Sequence, residues 1–245
     1  MPMDASPLQN QVVFVTGGSR GIGKALVRRF ASAGAKVAFC ARDVSSLHHA
    51  EEEIRSLTPH LYAFQADVSD ADAIRRGVEA IRHTFGPITI LVNNAGIYRP
   101  GSILETSLAS WQDHFRVNLK GLFLVTQAVV PQMIENGGGR ILFISSTIAQ
   151  ISPPQNTCYT ATKWGLEGFA GCIAQELLEH HVNVHVLRPG FTATSIFDEI
   201  GKPDGEIDWI DPDEIAAAAE FLCRLPPHAQ VPELTYMTSF QRSGY

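Results

Sequence analysis

The feature that most constrains the fold of this chain is a regular alternation of short apolar runs with longer segments of helical periodicity. Seven β-branched or apolar runs are predicted strands, at 12–16, 36–41, 61–65, 88–92, 140–145, 182–187 and 231–236. One predicted helix lies in each interval between them, near 21–33, 44–57, 70–84, 110–135, 158–180 and 211–224. Strands that alternate with helices indicate βαβ units. The sequence therefore predicts an α/β protein with a doubly wound, mainly parallel sheet of about seven strands and helices on both faces.

Nothing along the sequence divides the chain into smaller units. It has 245 residues, 45% of them hydrophobic and 18% charged, with neither an internal repeat nor a linker. Only 146–157 and 192–210 are long and irregular, and they contain the helix breakers Pro153, Pro154, Pro203 and Gly205. Long irregular loops in a compact domain are usually functional. We expect one domain over 1–245, with a substrate loop near 192–210.

Composition excludes several classes of function. A net charge of −6 argues against nucleic acid or an anionic membrane as partner. The first residues lack a basic segment followed by an apolar one, and no apolar run is long enough to span a bilayer. The four cysteines form no regular framework, and the nine histidines lack metal-ligand spacing. We expect a cytoplasmic protein with reduced thiols and no metal site.

A glycine-rich turn follows the first predicted strand and opens the first predicted helix. It reads Thr-Gly-Gly-Ser-Arg-Gly-Ile-Gly at 16–23. Gly17, Gly21 and Gly23 would let the backbone approach a pyrophosphate above a helix N-terminus. Their spacing differs from the more common Gly-x-Gly-x-x-Gly, and a tight turn without a ligand is the alternative.

The end of the second predicted strand bears on the choice of dinucleotide. A fold that binds NAD places an acid there for the ribose 2′-hydroxyl, whereas this chain has Ala41 followed by Arg42. Arg42, with Arg20 of the glycine turn, could bind a 2′-phosphate through charge-assisted hydrogen bonds. Asp43 is expected to cap the helix that begins at position 44. NADP(H) is therefore favoured over NAD(H).

Tyr159 and Lys163 are the strongest candidates for catalysis. In a helix from 158 onward they lie four residues apart on one face. A nearby ammonium favours the phenolate, so Lys163 is expected to lower the pKa of Tyr159. Such a phenol could exchange a proton with a substrate oxygen, which is the chemistry of interconverting a carbonyl and an alcohol. The alternative is an amphipathic helix with a half-buried tyrosine and a solvated lysine.

These segments, taken in order, resemble the classical short-chain dehydrogenase/reductase family. The resemblance covers about 11–196. Besides the glycine turn and the Tyr–Lys pair, it rests on Ala-Asp-Val at 66–68, Asn-Asn-Ala-Gly at 93–96, Val-Asn-Leu at 117–119, Ile-Ser-Ser at 144–146, and Arg-Pro-Gly at 188–190 with two following threonines. It implies a Rossmann-type fold, a nicotinamide cofactor, and hydride transfer to or from a carbon that bears oxygen.

The resemblance also implies roles for individual residues. Ser146, which lies 13 residues before Tyr159, would polarise the substrate carbonyl, and Tyr159 would be the acid/base. Lys163 would bind the nicotinamide ribose and tune Tyr159, and Asn118 would hold a water linking Lys163 to solvent. The cofactor would contact Gly17, Ser19, Arg20, Gly21, Ile22, Gly23, Ala41, Arg42, Asp67, Val68, Asn94, Ala95, Gly96, Tyr159, Lys163, Pro189, Gly190, Thr192 and Thr194.

The predicted activity is NADPH-dependent reduction of a small ketone or aldehyde, or the reverse oxidation, by a homodimer or homotetramer. Reduction of a 3-oxoacyl group on a carrier protein is the alternative. Two non-enzymatic functions were weighed: a dinucleotide-sensing binding protein and a scaffold for oligomerisation. The set formed by Asn118, Ser146, Tyr159 and Lys163 argues against the first, and the glycine turn argues against the second. The segment from 226 to the end departs from the common family pattern and leaves substrate identity open.

Overall fold

The computed structural model describes residues 8–197 and 208–239. Its strands are β1 (Val12–Thr16), β2 (Lys36–Ala41), β3 (Leu61–Gln65), β4 (Ile90–Asn93), β5 (Gly139–Ile144), β6 (Val182–Pro189) and β7 (Glu233–Tyr236). Its α-helices are α1 (Gly21–Ser32), α2 (Val44–Arg55), α3 (Ala71–Phe85), α4 (Leu108–Phe115), α5 (Leu122–Glu135), α6 (Ile148–Ile151), α7 (Thr157–Glu176) and α8 (Pro212–Cys223).

The seven strands form one sheet in the order β3-β2-β1-β4-β5-β6-β7. Every paired neighbour is parallel. The strand order reverses between β1 and β4, and crevices that bind ligands open at such a switch point beside the carboxyl ends of the strands. The predicted doubly wound parallel sheet is confirmed.

The sheet separates two hydrophobic layers. Along β1, Val13 and Val15 face the layer that contains α1, α2 and α8, while Val12 and Phe14 face the layer that contains α3, α5 and α7. All four side chains are buried. This alternation follows from the pleat of a strand, and it explains why β1 is apolar along its whole length.

The helices begin where the sequence supplies N-terminal caps. Asp43 caps α2 by accepting a hydrogen bond from the backbone N–H of Ser46 at 2.8 Å, as predicted. Asp70 caps α3, and Asp211 and Glu214 form a reciprocal capping box at the start of α8. These caps fix the helix starts to within about a residue of the positions that the sequence predicts.

The predicted helix near 110–135 differs from a simple α-helix. It runs from Leu108 to Glu135, with the π-helical segment Arg116–Gly121 between α4 and α5. π-helical segments in α-helices frequently mark functional sites. The short helix α6 also falls inside a segment that the sequence predicts to be irregular, 146–157.

The same run, Leu108–Glu135, is long and apolar enough to cross a membrane by length and composition. Half of its most apolar window is buried inside the protein. Its inner face packs on α3 and β4, with Val125 and Val129 fully buried. The apolar character of this run is therefore explained by the burial of one of its faces in the core.

Candidate active site

The glycine turn connects β1 to α1 at the carboxyl edge of the sheet. Gly17 and Gly21 have φ angles of 67° and 53°, which lie in the left-handed region that side chains disfavour. A Cβ on Gly23 would lie 2.0 Å from the carbonyl oxygen of Gly17. The turn therefore requires glycine for two reasons, backbone conformation and close approach. Ile22 packs on the core beneath the turn.

Two side chains hold this turn in place from the neighbouring strands. Asn94, which follows β4, donates from its amide to the carbonyl oxygens of Thr16 and Gly17 at 2.9 and 3.2 Å. The Thr16 hydroxyl oxygen accepts hydrogen bonds from the backbone N–H groups of Asn94 and Ala95, each at 3.0 Å. Thr16, the last residue of β1, is buried and is not among the predicted cofactor residues, because its hydrogen bonds to the segment after β4 appear only in the folded structure.

The start of α1 fits an anionic ligand. The N-cap residue, Arg20, has extended backbone geometry and makes no side-chain capping hydrogen bond to the helix, whose first turn contains no acid. First-turn N–H groups without a side-chain cap, together with the helix dipole, attract a pyrophosphate. Thr194 lies over the turn, because a Cβ on Gly21 would come 3.1 Å from its methyl group.

The end of β2 is followed by an exposed cationic side chain, Arg42. Ala41 is buried as the last residue of the strand, and Arg42 and Asp43 after it are exposed. Hydrogen bonds from Ser46 lower the pKa of Asp43, and the nearby charges of Arg20 and Arg42 lower it further. The carboxylate is thus occupied as a helix cap between two arginines. The hydroxyl of Ser46 also donates to that of Ser19 in the glycine turn, at 3.2 Å.

Asp67 and Val68 follow β3 at the same edge. Asp67 accepts hydrogen bonds from the Ser69 hydroxyl at 2.7 Å and from Nη1 of Arg116 at 3.0 Å. Burial raises the pKa of Asp67, but the hydrogen bonds from Ser69 and Arg116 outweigh it and the net pKa is lowered. Val68 is buried against the end of the π-helical segment, where a Cβ on Gly121 would lie 2.5 Å from its methyl group.

The helix α7 brings Ser146, Tyr159 and Lys163 together. The hydroxyl of Ser146 lies close enough to that of Tyr159 to lower the pKa of the tyrosine. Nζ of Lys163 donates to the carbonyl oxygen of Ile144 at 2.7 Å and lies 5.4 Å from the centre of the Tyr159 ring. The neighbouring Ser145 hydroxyl points elsewhere, to Glu167 at 2.6 Å. The structure thus places Ser146, and not Ser145, against the tyrosine.

The pKa of Tyr159 in this structure is opposite in direction to the prediction. Burial raises it, the neighbouring Tyr98 adds to the increase, and the hydrogen bond with Ser146 opposes it. Burial also lowers the pKa of Lys163 to about 8, against the influence of Glu167. The prediction rests on the charge of Lys163 and leaves out the burial of Tyr159. In the structure the ammonium group of Lys163 donates its hydrogen bond to the carbonyl oxygen of Ile144. Burial penalises the charged form of both groups.

Asn118 lies in the π-helical segment and is buried. Its Oδ1 accepts from the N–H of Ile97 at 2.8 Å, and its amide donates to the carbonyl oxygen of Ile97 at 3.0 Å and to the hydroxyl of Thr162 at 3.1 Å. Thr162 in turn donates to the carbonyl oxygen of Tyr159 at 2.8 Å. Asn118 therefore ties the segment after β4 to α7. Gly96 lies beside it.

Tyr98 stands next to the predicted acid/base. The rings of Tyr98 and Tyr159 are 4.8 Å apart between centroids, with an interplanar angle of 59°. The segment that carries Tyr98 is held by His114, whose Nε2 accepts from the N–H of Arg99 at 3.2 Å. His114 is fully buried, and burial lowers its pKa, so the neutral ring can act as this acceptor. The sequence gives no sign of the role of His114.

The residues after β6 close the opposite side of the crevice. Pro189 accepts a hydrogen bond from the N–H of Thr147 at 3.1 Å, and Gly190 donates to Tyr236 at 2.8 Å. Thr192 is buried and forms an isolated bridge with Ile210. Next to this bridge the rings of Phe191 and Trp209 pack edge to face, with centroids 6.0 Å apart. Of the predicted substrate loop 192–210, residues 198–207 lie outside the described residues.

The described residues do not meet the requirements of a metal site. Within 8–197 and 208–239, no group of three or more His, Cys, Asp and Glu side chains could hold a metal ion. The described part of the site consists instead of a glycine turn, hydroxyl and amide groups, and one buried lysine. Such groups suit a dinucleotide and a substrate oxygen.

A parallel, doubly wound sheet with a glycine turn at its switch point is the architecture of dinucleotide-binding oxidoreductases. The family model described as short chain dehydrogenase matches residues 11–205. The chain belongs to this family of short-chain dehydrogenases/reductases, as the order of motifs in its sequence predicts.

Similar proteins act on different substrates. The chain is 34% identical over 236 residues to a 3-oxoacyl-[acyl-carrier-protein] reductase of Synechocystis sp., covering 94% of this chain and 95% of the relative. It is 35% identical over 209 residues to a gluconate 5-dehydrogenase of Gluconobacter oxydans, covering 84% and 81%.

Two solved structures are also similar over nearly their whole length. A metagenomic short-chain oxidoreductase in complex with NADP has a TM-score of 0.82 at 33% identity, covering 96% of this chain and 99% of that one. A 3-ketoacyl-(acyl-carrier-protein) reductase from Brucella melitensis complexed with NADH has a TM-score of 0.87 at 30% identity, covering 95% and 98%. Both nicotinamide dinucleotides therefore occur among proteins of this fold.

Proposed function

We propose that this oxidoreductase uses NADPH to reduce a small ketone or aldehyde to an alcohol, or catalyses the reverse reaction. The observation that carries the proposal is the arrangement on α7. The hydroxyl of Ser146 lies close enough to Tyr159 to lower its pKa, and Lys163 is buried beside the tyrosine ring. A phenol paired with a hydroxyl and a cation can hold a substrate oxygen and exchange a proton with it.

The proposal gives each of these side chains a role. Ser146 donates a hydrogen bond to the substrate carbonyl, Tyr159 transfers the proton, and Lys163 holds the nicotinamide ribose and stabilises negative charge on the tyrosine. Asn118 is proposed to hold a water molecule that links Lys163 to solvent. The nicotinamide supplies the hydride when it is bound. The raised pKa of Tyr159 keeps the phenol protonated near neutral pH, as a proton donor requires.

The preference for NADPH rests on the two arginines near the end of β2. Arg42 follows Ala41 directly, and Arg20 is close enough to influence the same carboxylate, Asp43. Asp43 is engaged as the cap of α2 and does not take the place of the acid that a ribose 2′-hydroxyl requires. Arginine forms strong, charge-assisted hydrogen bonds with phosphate.

The remaining cofactor contacts are proposed from their positions around the crevice. The pyrophosphate would lie over the N-terminus of α1, and the adenine would lie near Asp67 and Val68 after β3. Thr192 and Thr194 would contact the carboxamide and the pyrophosphate. The full set is Gly17, Ser19, Arg20, Gly21, Ile22, Gly23, Ala41, Arg42, Asp67, Val68, Asn94, Ala95, Gly96, Tyr159, Lys163, Pro189, Gly190, Thr192 and Thr194.

For the substrate we propose a neutral or cationic, largely apolar carbonyl compound. Tyr98, Ile151, Phe191 and Trp209 are proposed as apolar walls around the tyrosine hydroxyl; Ile151 and the pair Phe191–Trp209 lie on segments that follow β5 and β6. The substrate loop 192–210 carries five acids and a single lysine, which disfavours an anionic substrate or partner. Four of these acids, Asp198, Glu199, Asp204 and Glu206, and Lys202 lie outside the described residues.

Reduction of a 3-oxoacyl group on a carrier protein is the second candidate. The similarity to the Synechocystis reductase along 94% of the chain favours it. Against it, the end of α5 carries Glu135 and no base within 132–139, where an acidic carrier would require cations. Arg99, the cation nearest to Tyr98 in the sequence, is paired with Asp113 at 3.1 Å.

We further propose that the enzyme is a homodimer or homotetramer in the cytoplasm. Leu108, Trp111, Phe123 and Trp164 are exposed on α4, α5 and α7, and a groove of about 500 Å³ lies between Trp111 and Lys120. Large exposed apolar side chains are candidates for burial in a protein interface. The four cysteines are free thiols, which suits a reducing compartment.

The decisive experiment compares wild type with Tyr159→Phe in an assay of NADPH oxidation. The substrates are a panel of neutral alkyl and aryl ketones and a carrier-linked 3-oxoacyl group. We expect the wild type to have the higher kcat/KM for a neutral ketone. We expect Tyr159→Phe to lose about 10²- to 10⁴-fold in kcat while its Kd for NADPH stays nearly unchanged, because only the proton donor is removed.

Two results would contradict these proposals. A Tyr159→Phe variant that keeps more than half of the wild-type kcat would show that Tyr159 is not the acid/base. A clear preference of the wild type for the carrier-linked substrate would replace the first candidate with the second.

A further inference from the structure

The inner face of α7 meets the end of β5 at three consecutive residues. Along the helix, Tyr159, Lys163 and a third residue, Glu167, are spaced four apart and therefore lie close to one face. Their partners are the hydroxyl of Ser146, the carbonyl oxygen of Ile144 at 2.7 Å and, for Glu167, the hydroxyl of Ser145 at 2.6 Å. Two of these three contacts involve residues to which the proposed reaction assigns a role, and Glu167 forms the third.

Glu167 is itself held from the next strand. Nε and Nη2 of Arg188, in β6, donate to its two carboxylate oxygens at 2.7 and 2.8 Å. Nη1 of Arg188 reaches Glu233 in β7 at 2.7 Å. The Arg188 side chain is 6% exposed and that of Glu167 is 15% exposed, whereas that of Glu233 is 60% exposed. A bidentate arginine–carboxylate pair with little exposure fixes the positions and the relative orientation of both side chains.

We propose that Glu167 is a positioning residue of the active site, which with Arg188 holds α7 against Ser145 so that Ser146, Tyr159 and Lys163 keep their alignment. The inference rests on the proposed function, because it needs the roles assigned to those three residues. Glu167 touches none of the reacting atoms and acts through its neighbours.

A purely stabilising ion pair explains these contacts less well. Replacing a buried ion pair with apolar residues is often neutral or stabilising, so such a pair is weak evidence for a role in stability alone. Here the carboxylate also accepts from the residue next to Ser146 and opposes the effect of burial on Lys163. Its position therefore affects both the alignment and the charge of the site.

The charged and titratable groups near Lys163 allow a distinct pH signature. Tyr159 and Glu167 lie on the same helix, Tyr98 packs on Tyr159, and Arg188 lies behind Glu167. Glu167 raises the pKa of Lys163, so its neutralisation lowers that pKa from about 8. If the reaction needs protonated Lys163, a variant with a neutral residue 167 loses activity at a lower alkaline pH than the wild type does.

The test measures kcat against pH, Kd for NADPH and Tm for wild type, Glu167→Gln, Glu167→Asp, Glu233→Gln and Tyr159→Phe, with rates taken well below every Tm. In Glu167→Gln we expect kcat to fall about ten- to a hundredfold, since small misplacements of reacting groups have effects of this size. We also expect its alkaline limb to move to lower pH. Glu233→Gln is the control, since it removes an exposed partner of the same arginine; we expect kcat within about twofold of wild type and an unmoved limb.

Glu167→Asp keeps the charge and shortens the side chain by one methylene. We expect a lower kcat with an unmoved limb, and this variant carries the test if Glu167→Gln does not fold. A wild-type kcat in folded Glu167→Asp or Glu167→Gln would overturn the inference. So would a Glu167→Gln variant whose kcat falls while its alkaline limb stays in place, because loosened packing alone gives that result.

Tyr159→Phe separates this inference from the function on which it rests. If Tyr159→Phe is inactive and the Glu167 variants behave as wild type, only the positioning role is wrong. If Tyr159→Phe retains the wild-type rate, the proposed reaction itself is wrong, and the role of Glu167 in it falls as well.

Discussion

At the scale of single residues, burial controls the chemistry of the site. Lys163 is 5% exposed, and its ammonium hydrogen bonds to a backbone carbonyl beside the Tyr159 ring. The spacing of Tyr159 and Lys163 in the sequence predicts that they are neighbours, and the structure places them so. It does not predict the direction of the tyrosine pKa, because desolvation depends on residues from other elements, such as Tyr98.

Residues that join distant parts of the chain were the hardest to find from the sequence. Thr16 and Asn94 are 78 positions apart, and Arg188 and Glu167 are 21 apart, yet each pair is joined by hydrogen bonds. Thr16, Asn94 and Arg188 lie in motifs that the sequence shows, but the motifs do not identify their partners. Glu167 lies in none of these motifs, although it continues the four-residue spacing of Tyr159 and Lys163. His114 carried no local signal, because a buried neutral histidine looks like any other helical histidine in a sequence.

The choice of cofactor is a prediction about one side chain. We expect Arg42→Ala to raise the Kd for NADPH about ten- to a hundredfold and to leave the Kd for NADH nearly unchanged, because only the 2′-phosphate loses a charge-assisted hydrogen bond. Both constants can be measured by fluorescence titration. Arg82→Ala, which removes an exposed arginine near the far end of α3, is the matched control. Equal losses for both dinucleotides in Arg42→Ala would make Arg42 an ordinary surface residue.

At the scale of elements, the sequence predicts the bounds of a strand or helix best where a turn or a capping residue lies directly beside it. The first three strands have the predicted bounds, and Asp43 caps α2 as expected. The predicted starts of β4 and β7 each lie two residues before the observed ones. Thr89 and Pro232, just before the two strands, still form backbone hydrogen bonds with the neighbouring strands. The π-helical segment Arg116–Gly121 was not predictable, because apolar periodicity does not reveal a single widened turn.

The glycine turn makes a prediction at this scale. We expect Gly23→Ala to destabilise the protein by at least about 1–3 kcal/mol and to weaken NADPH binding, because the added methyl group meets the backbone oxygen of Gly17 and must displace the turn. Gly171→Ala in α7 is the control, since a Cβ there meets no atom within 4 Å. That variant should be equal to wild type or slightly more stable. Chemical denaturation and NADPH titration of both variants measure the difference, and equal behaviour would refute the steric argument.

At the scale of the whole molecule, both faces of the sheet are buried, while several large apolar side chains on the helices stay exposed. We call the outer band the side chains of Leu108, Trp111, Phe123 and Trp164, which are 37–71% exposed. The isolated subunit would leave these side chains in water. Burial of such a band between two copies is favourable at roughly 25 cal/mol per Å² of apolar surface before the costs of association.

Substitutions in the outer band therefore test whether it forms the interface between subunits. We expect the wild type to be a dimer or tetramer by light scattering after size-exclusion chromatography. The double variant Trp111→Glu, Phe123→Glu should shift it to smaller species, since carboxylates do not tolerate burial in an apolar interface. Leu57→Glu, which changes an exposed apolar residue elsewhere, should leave the mass unchanged. An unchanged mass in the double variant would place the interface on another surface.

The helical run Leu108–Glu135 has a consequence for how this chain can vary in length. Arg116 and Asn118 hydrogen bond from it to Asp67 and Thr162, whereas Trp111 and Phe123 are exposed. An α-helix turns by about 100° per residue, so one inserted or deleted residue would rotate every later side chain out of phase with its neighbours. The π-helical segment Arg116–Gly121 is the place where this run already departs from the regular α-helical turn. Substitutions can accumulate on its exposed side, but gains and losses of residues should be confined to the loops at its two ends.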